Sequence, residues 1–292
     1  MTLVRKMAGF SLAASVMAVP TMGQSIAQDP AQGIAPPLMN AGALSFAAGI
    51  DAVSQYFFRG IEQEDSGIIV QPFVEVSTGF EVSGQQVDFT VGTWQSIHSR
   101  NTGDQGDGAG NWYESDLYAS LGTAINDQFY VSGTFTGFYS PNGAFQDIEE
   151  IAFGLDYDDS ELLGDWSVAP YVFIAFETRD AGGTEDIYLE FGGELGLPFI
   201  ESEDLPVDLS FPFAIGFSID DFYTDDGGDN EAFGFLLVGA AAAMPLDFIP
   251  ADYGTWTATA GIDVLFLNSD ANLNDSSSDV EIIGKVGIGV EY

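Results

Sequence analysis

The side chains able to do chemistry in this sequence are overwhelmingly carboxylates. Asp51, Glu75, Asp88, Glu114, Asp116, Glu150, Glu177, Asp186, Glu190, Glu194, Asp208, Asp263 and Glu281 stand on the polar side of stretches in which apolar residues recur at every second position. Two carboxylates held in different environments can divide acid and base work between them. Thirteen spread over ten stretches suit the lining of a wet interior instead, and rings of Asp and Glu favour cations there. Asp88, Glu114, Asp116, Glu190, Glu194 and Asp263 are the expected lumen-lining acids, with Arg59 and Lys285 among the few bases close enough to pair with them. The opposing reading, acids that merely solvate a narrow, side-chain-filled interior, stays open.

Other chemistry is thinly represented. His98 is the only histidine; Ser96 and Ser99 lie beside it. A hydrolase needs a nucleophile, a base and an orienting group in reach, and no recognisable catalytic motif surrounds His98. There is no cysteine, which excludes thiolate metal sites and a disulfide framework. Acidic runs such as DDFYTDDGGDNE could attract calcium, but none has the EF-hand spacing. No catalytic residue, metal or cofactor is expected.

The elements that must carry these acids have a period of two. At the end of the chain, Val280, Ile282, Gly284, Val286, Ile288, Val290 and Tyr292 share one face, and Glu281, Ile283, Lys285, Gly287, Gly289 and Glu291 the other. Side chains alternate across a strand, so this segment is apolar on one side and small or charged on the other. Val207, Leu209, Phe211, Phe213, Ile215, Phe217 and Ile219 repeat the pattern. Twelve such segments are expected, at 44–58, 68–80, 86–98, 112–125, 128–139, 148–157, 166–178, 185–197, 207–219, 232–244, 255–267 and 279–292. Their number and length fit an all-β, antiparallel transmembrane β-barrel of about twelve strands. A soluble barrel or sandwich alternates too, but would turn its apolar face inward. The segment 232–244 fits least well, because Phe235, Leu236, Leu237 and Val238 make both of its faces apolar. Tyr56, Phe57, Trp112, Tyr113, Trp166, Tyr253, Trp256 and Tyr292 fall near strand ends and are expected in two interfacial girdles.

The chain start reads as a secretory signal at 1–27. Arg5 and Lys6 precede an apolar stretch from Met7 to Val19, and a small-x-small site, Ser25-Ile26-Ala27, follows. Residues 28–43 read as a flexible entry segment, and 44–292 as the barrel. Beyond residue 27 there remain four Lys and Arg against 45 Asp and Glu, so 4 − 45 gives −41. Such acidity excludes nucleic acid as a partner, since phosphates require Lys and Arg. With 46% hydrophobic residues and a mean hydropathy of +0.13, the acidity does not mean disorder. The acidic and apolar surfaces must be segregated. Long connections rich in Gly, Asp and Asn alternate with tighter ones such as Asn126-Asp127, the asymmetry of outer loops and periplasmic turns.

The stretch VSQYFFRGIEQEDSGIIVQPFVEV, residues 53–76, resembles the TorF-like porins of proteobacteria in its Ser-x-Tyr-x-x-Arg-Gly-Ile-x-Gln run, and TGFYSPNGAFQDIEEIAFGLDY resembles their mid-chain strand, loop and return strand. The resemblance implies a barrel pore of the bacterial outer membrane more firmly than any substrate. The expected function is passive passage of small polar or cationic solutes, with outer-membrane lipid and the barrel-assembly machinery as partners. A structural or adhesive barrel with a closed lumen and a barrel hydrolase are the alternatives. Tyr292, the aromatic on the apolar face of the last strand, is the expected assembly signal. Deleting Tyr292, or Tyr292→Asp, should lower the amount of barrel in the outer membrane and leave export to the periplasm intact, read by membrane fractionation; equal levels would refute the signal.

Overall fold

The computed structural model describes residues 44–100, 110–179, 186–200, 207–274 and 278–292. The signal and entry segments expected at 1–43 lie outside them. Twelve strands close into one antiparallel barrel in chain order. They are β1 (Leu44–Val53), β4 (Ile69–Val82), β5 (Gln85–His98), β6 (Trp112–Ala124), β7 (Phe129–Tyr139), β8 (Ile148–Tyr157), β9 (Tyr171–Arg179), β10 (Ile187–Ile200), β11 (Val207–Asp220), β12 (Phe233–Pro245), β13 (Thr255–Leu267) and β14 (Val280–Glu291). Between β1 and β4 sits a separate two-stranded hairpin, β2 (Tyr56–Phe58) and β3 (Ile61–Glu64). Closure comes from β1 pairing with β14, Ala47 opposite Glu291 through to Val53 opposite Lys285.

Alternation sorts the two faces as period two requires. Phe46, Val74, Val91, Leu117, Phe135, Phe153, Phe191, Phe213, Val238, Phe266 and Val286 all point outward and are exposed. The carboxylates point inward. This is the reverse of a soluble barrel. In β12 the ambiguity resolves residue by residue: Leu236 and Val238 face out, while Phe235 and Leu237 are buried inside with Leu265, Ile283 and Ile69. Both faces are apolar because the interior at that end is itself packed.

Local chemistry explains the tight turns. Ser83 and Gly84 both have positive φ, 54° and 85°, between the paired Val82 and Gln85. That backbone matches the twist of a two-residue hairpin. The Asn126 side chain accepts hydrogen bonds from the backbone N–H of Gln128 and Phe129, each at 2.9 Å, and turns the chain from β6 into β7. After β8 the chain makes a helical turn, α1 (Ser160–Leu163), before β9. Asp159 staples that connection by accepting from Ser167 Oγ and from the backbone N–H of Val168 and Ala169. Burial alone would raise its pKa, but these bonds hold it below the usual carboxylate range.

Three expectations need correction. The segment expected at 166–178 begins at Tyr171, because 160–166 is helical. The segment expected to run from 44 to 58 as one strand stops at Val53; the chain then turns into the barrel as β2–β3. Tyr56 and Phe57, expected in an interfacial girdle, are fully buried inside, and Tyr113 is buried with them. Trp112, Trp166, Tyr253 and Tyr292 are exposed. Phe213→Arg should cost about 2–4 kcal/mol if its position meets mid-membrane lipid, read as denaturant stability after folding into lipid; an unchanged value would place that face elsewhere.

Candidate functional site

Hairpin β2–β3 enters the barrel at the end carrying the long loops. Its turn is Arg59-Gly60, both with positive φ, 50° and 82°. Gly60 lies against the Phe235 ring, where a Cβ would collide, so the turn needs glycine for both conformation and space. Arg59 thereby reaches the far wall. Its two terminal nitrogens donate to the two oxygens of Glu150 on β8, at 2.6 and 2.8 Å. Its Cζ lies 4.4 Å from the ring centre of Tyr188, 4.9 Å from Phe58, 5.2 Å from Phe173 and 5.5 Å from Phe222. Both charges are out of water, at 1% and 2% exposure. The hairpin is fixed elsewhere as well. The Tyr223 hydroxyl donates to the Arg59 carbonyl at 2.7 Å, Tyr56 to Glu114 at 2.7 Å and Tyr113 to Gln63, while the Glu62 N–H donates to the Leu273 carbonyl at 2.7 Å. The loop-end half of the lumen is thus filled by side chains.

The expected lumen residues divide by depth. Glu114, Asp116, Glu190 and Asp263 are inside the barrel and buried, whereas Asp88 and Glu194 are half-buried toward the end with the short turns. Arg59 is carried by the hairpin rather than the wall. Lys285 donates to Asp263 at 2.8 Å, also buried. Phenols meet four of the remaining acids, Glu114 among them. Tyr118 donates to Glu75 at 2.5 Å and Tyr130 to Asp88 at 3.2 Å, each ring lying over a glycine of the intervening strand, Gly92 and Gly122. Tyr171 donates to Glu190 at 2.6 Å, and Tyr188 donates to its other oxygen. Asp116 differs: it is 1% exposed, and neither of its oxygens has a hydrogen-bond partner among the described residues.

His98, at the end of β5, is buried and stacks on Tyr113 with ring centres 4.6 Å apart. Ser96 Oγ is 2.9 Å from His98 Nε2, and Glu64 Oε2 is 3.8 Å from His98 Nδ1. The order is that of nucleophile, base and orienter, yet Ser96 has no exposed surface for a substrate to reach. The sequence places Ser96 and Ser99 near His98 along the chain; Glu64 comes from the inverted hairpin, and nothing local in the sequence brings it there. Among the described residues no group of three or more His, Asp or Glu is placed to hold a metal ion. Tyr292 lies just beyond β14, where its backbone exchanges hydrogen bonds with Phe46 at 2.8 and 2.9 Å and extends the closure.

No protein-family model matches the sequence, and no curated protein does. Among solved structures, the chain is similar to the translocator domain of autotransporter NalP from Neisseria meningitidis, at 13% identity over 87% of this chain and 90% of that one with a TM-score of 0.42. It is also similar to an outer membrane channel from Pseudomonas putida F1, at 10% identity over 91% and 100% with a TM-score of 0.45. The NanC porin matches at 13% identity over 85% and 99%, with a TM-score of 0.40. The barrel architecture itself rests on this chain's own strand pairing.

Removing one partner of a buried ion pair leaves the other uncompensated, at a cost of about 3–5 kcal/mol. Glu150→Ala should therefore unseat the hairpin and expose the bond after Arg59 to trypsin, which yields a new cleavage in the folded protein that the parent resists. Continued protection of Arg59 in that variant would show that the pair does not hold the hairpin.

Proposed function

We propose that this chain is a passive channel of the bacterial outer membrane for small polar solutes, cations ahead of anions, with its outer mouth shut by hairpin β2–β3. An exposed apolar belt on a closed ladder is what lipid requires of a strand-built protein. The long loops and the hairpin at one end, opposite the short turns, support an orientation with the hairpin outermost. Outer-membrane lipid and the barrel-assembly machinery are the partners in this reading. The resemblance to TorF-like porins belongs to it as well, since the run that carries it, Tyr56 to Gln63, is the run that forms the hairpin.

The observation that carries the proposal is the imbalance of charge inside. Asp51, Glu75, Asp88, Glu114, Asp116, Glu150, Glu190, Glu194 and Asp263 face the lumen, and the bases among them, Arg59 and Lys285, are each already paired to one acid. Tyrosine hydroxyls satisfy carboxylates without neutralising them. Low-dielectric walls focus the remaining negative potential along the axis. Cations are then enriched, most strongly at low salt, where the Debye length reaches about 30 Å at 0.01 M.

The hairpin also favours the second reading, a closed structural barrel, if it never leaves. The two part company in planar bilayers. The parent should conduct little, and a variant with residues 55–65 replaced by a short Gly-Ser link should conduct well. Reversal potentials in a KCl gradient should show potassium permeability exceeding chloride, and Glu190→Gln with Glu194→Gln should weaken that preference. Chloride preference would defeat the selectivity, and silence of the shortened variant would defeat the channel.

A further inference from the structure

Arg59 is a side chain that the chain supplies to a site built by other elements. Phe173 and Tyr188 belong to β9 and β10, Glu150 to β8 and Asp116 to β6, so all four stay in the barrel wall whatever the hairpin does. Two aromatic faces within 5.2 Å of the guanidinium carbon and a carboxylate that takes both terminal nitrogens are a cage for a flat organic cation. Asp116 supplies an independent sign of unmet demand. It is 1% exposed, both of its oxygens lack a partner, and it lies within electrostatic reach of Glu114 and Glu150. The wall thus carries more buried carboxyl groups than one guanidinium answers.

We infer that this cage is a binding site for small solutes bearing a guanidinium group, and that Arg59 is a tethered stand-in for them. The planar fork matches a bidentate carboxylate, and its weak hydration lets it lie against aromatic faces. A compact ammonium or an alkali ion keeps its water more strongly and has no fork to offer. The inference deepens the channel reading and rests on it only for the route by which a solute reaches the cage once the hairpin has withdrawn.

The test empties the cage and refills it. Arg59→Ala protein in detergent is unfolded thermally with methylguanidinium, methylammonium or sodium chloride at equal millimolar ionic strength. Methylguanidinium should raise the unfolding temperature several-fold more than the other two. The effect should be absent from the parent, whose cage is full, and from Arg59→Ala combined with Glu150→Gln. Equal responses to the three salts, or equal responses of Arg59→Ala and parent, would overturn the inference. If Arg59→Ala does not fold unaided, its refolding yield with each salt gives the same reading: rescue selective for methylguanidinium supports the cage, and rescue by none or by all overturns it. Conductance of the hairpin-shortened protein is scored separately. Current without selective stabilisation removes the cage and spares the channel, and selective stabilisation without current does the reverse.

Discussion

Closure of the hydrogen-bond ladder is the constraint from which the other features follow. β1 meets β14 over seven paired residues, and Phe46 and Tyr292 extend the seam by exchanging backbone hydrogen bonds. A sheet closed in this way has no edge, so every strand satisfies its backbone without water and can turn apolar side chains outward. With a period of two, whatever is not apolar must then go inside. An acidic chain closed into such a barrel must turn the carboxylates of its strands into its own interior.

That interior handles its charge with few cations. Arg59 and Lys285 answer Glu150 and Asp263, and phenols answer Glu75, Asp88, Glu114 and Glu190. A phenol donates a strong hydrogen bond to an ionised acceptor yet leaves the charge in place. Glycine on the intervening strand makes room for the ring at Tyr118 and Tyr130. The acids that phenols meet are therefore hydrogen-bonded without a counter-charge, whereas Asp116 lacks a hydrogen-bond partner on both oxygens and Asp156 and Asp263 each on one.

Hairpin β2–β3 converts the mouth from a polar cavity into a packed core. Tyr56 and Phe57 join Phe235, Leu237, Leu265 and Ile283, residues that would make no sense facing a water-filled pore. Polar clasps hold the hairpin from several directions, chiefly Glu150, Tyr223 and Glu114. Buried ion pairs offset their own desolvation only when the geometry is good. The Arg59 fork with its surrounding rings meets that condition, and one altered partner is enough to spoil it.

Alternation along the chain determined the barrel, the twelve-strand count, the acidic interior and most strand bounds, because facing direction in a strand depends only on parity. The same parity identified Glu114, Asp116, Glu190, Glu194 and Asp263 as inward. Parity cannot say which inward residues meet. Arg59 and Glu150 are 91 positions apart, and Tyr223 is 164 from Arg59. Their contact depends on the stagger of the closed wall and on the inversion of one loop. Tyr56 and Phe57 continue the pattern of β1 with no local break, so they read as more strand. Only the closed barrel creates the cavity whose filling draws them inward, and only that cavity tells a buried aromatic from one at the membrane surface.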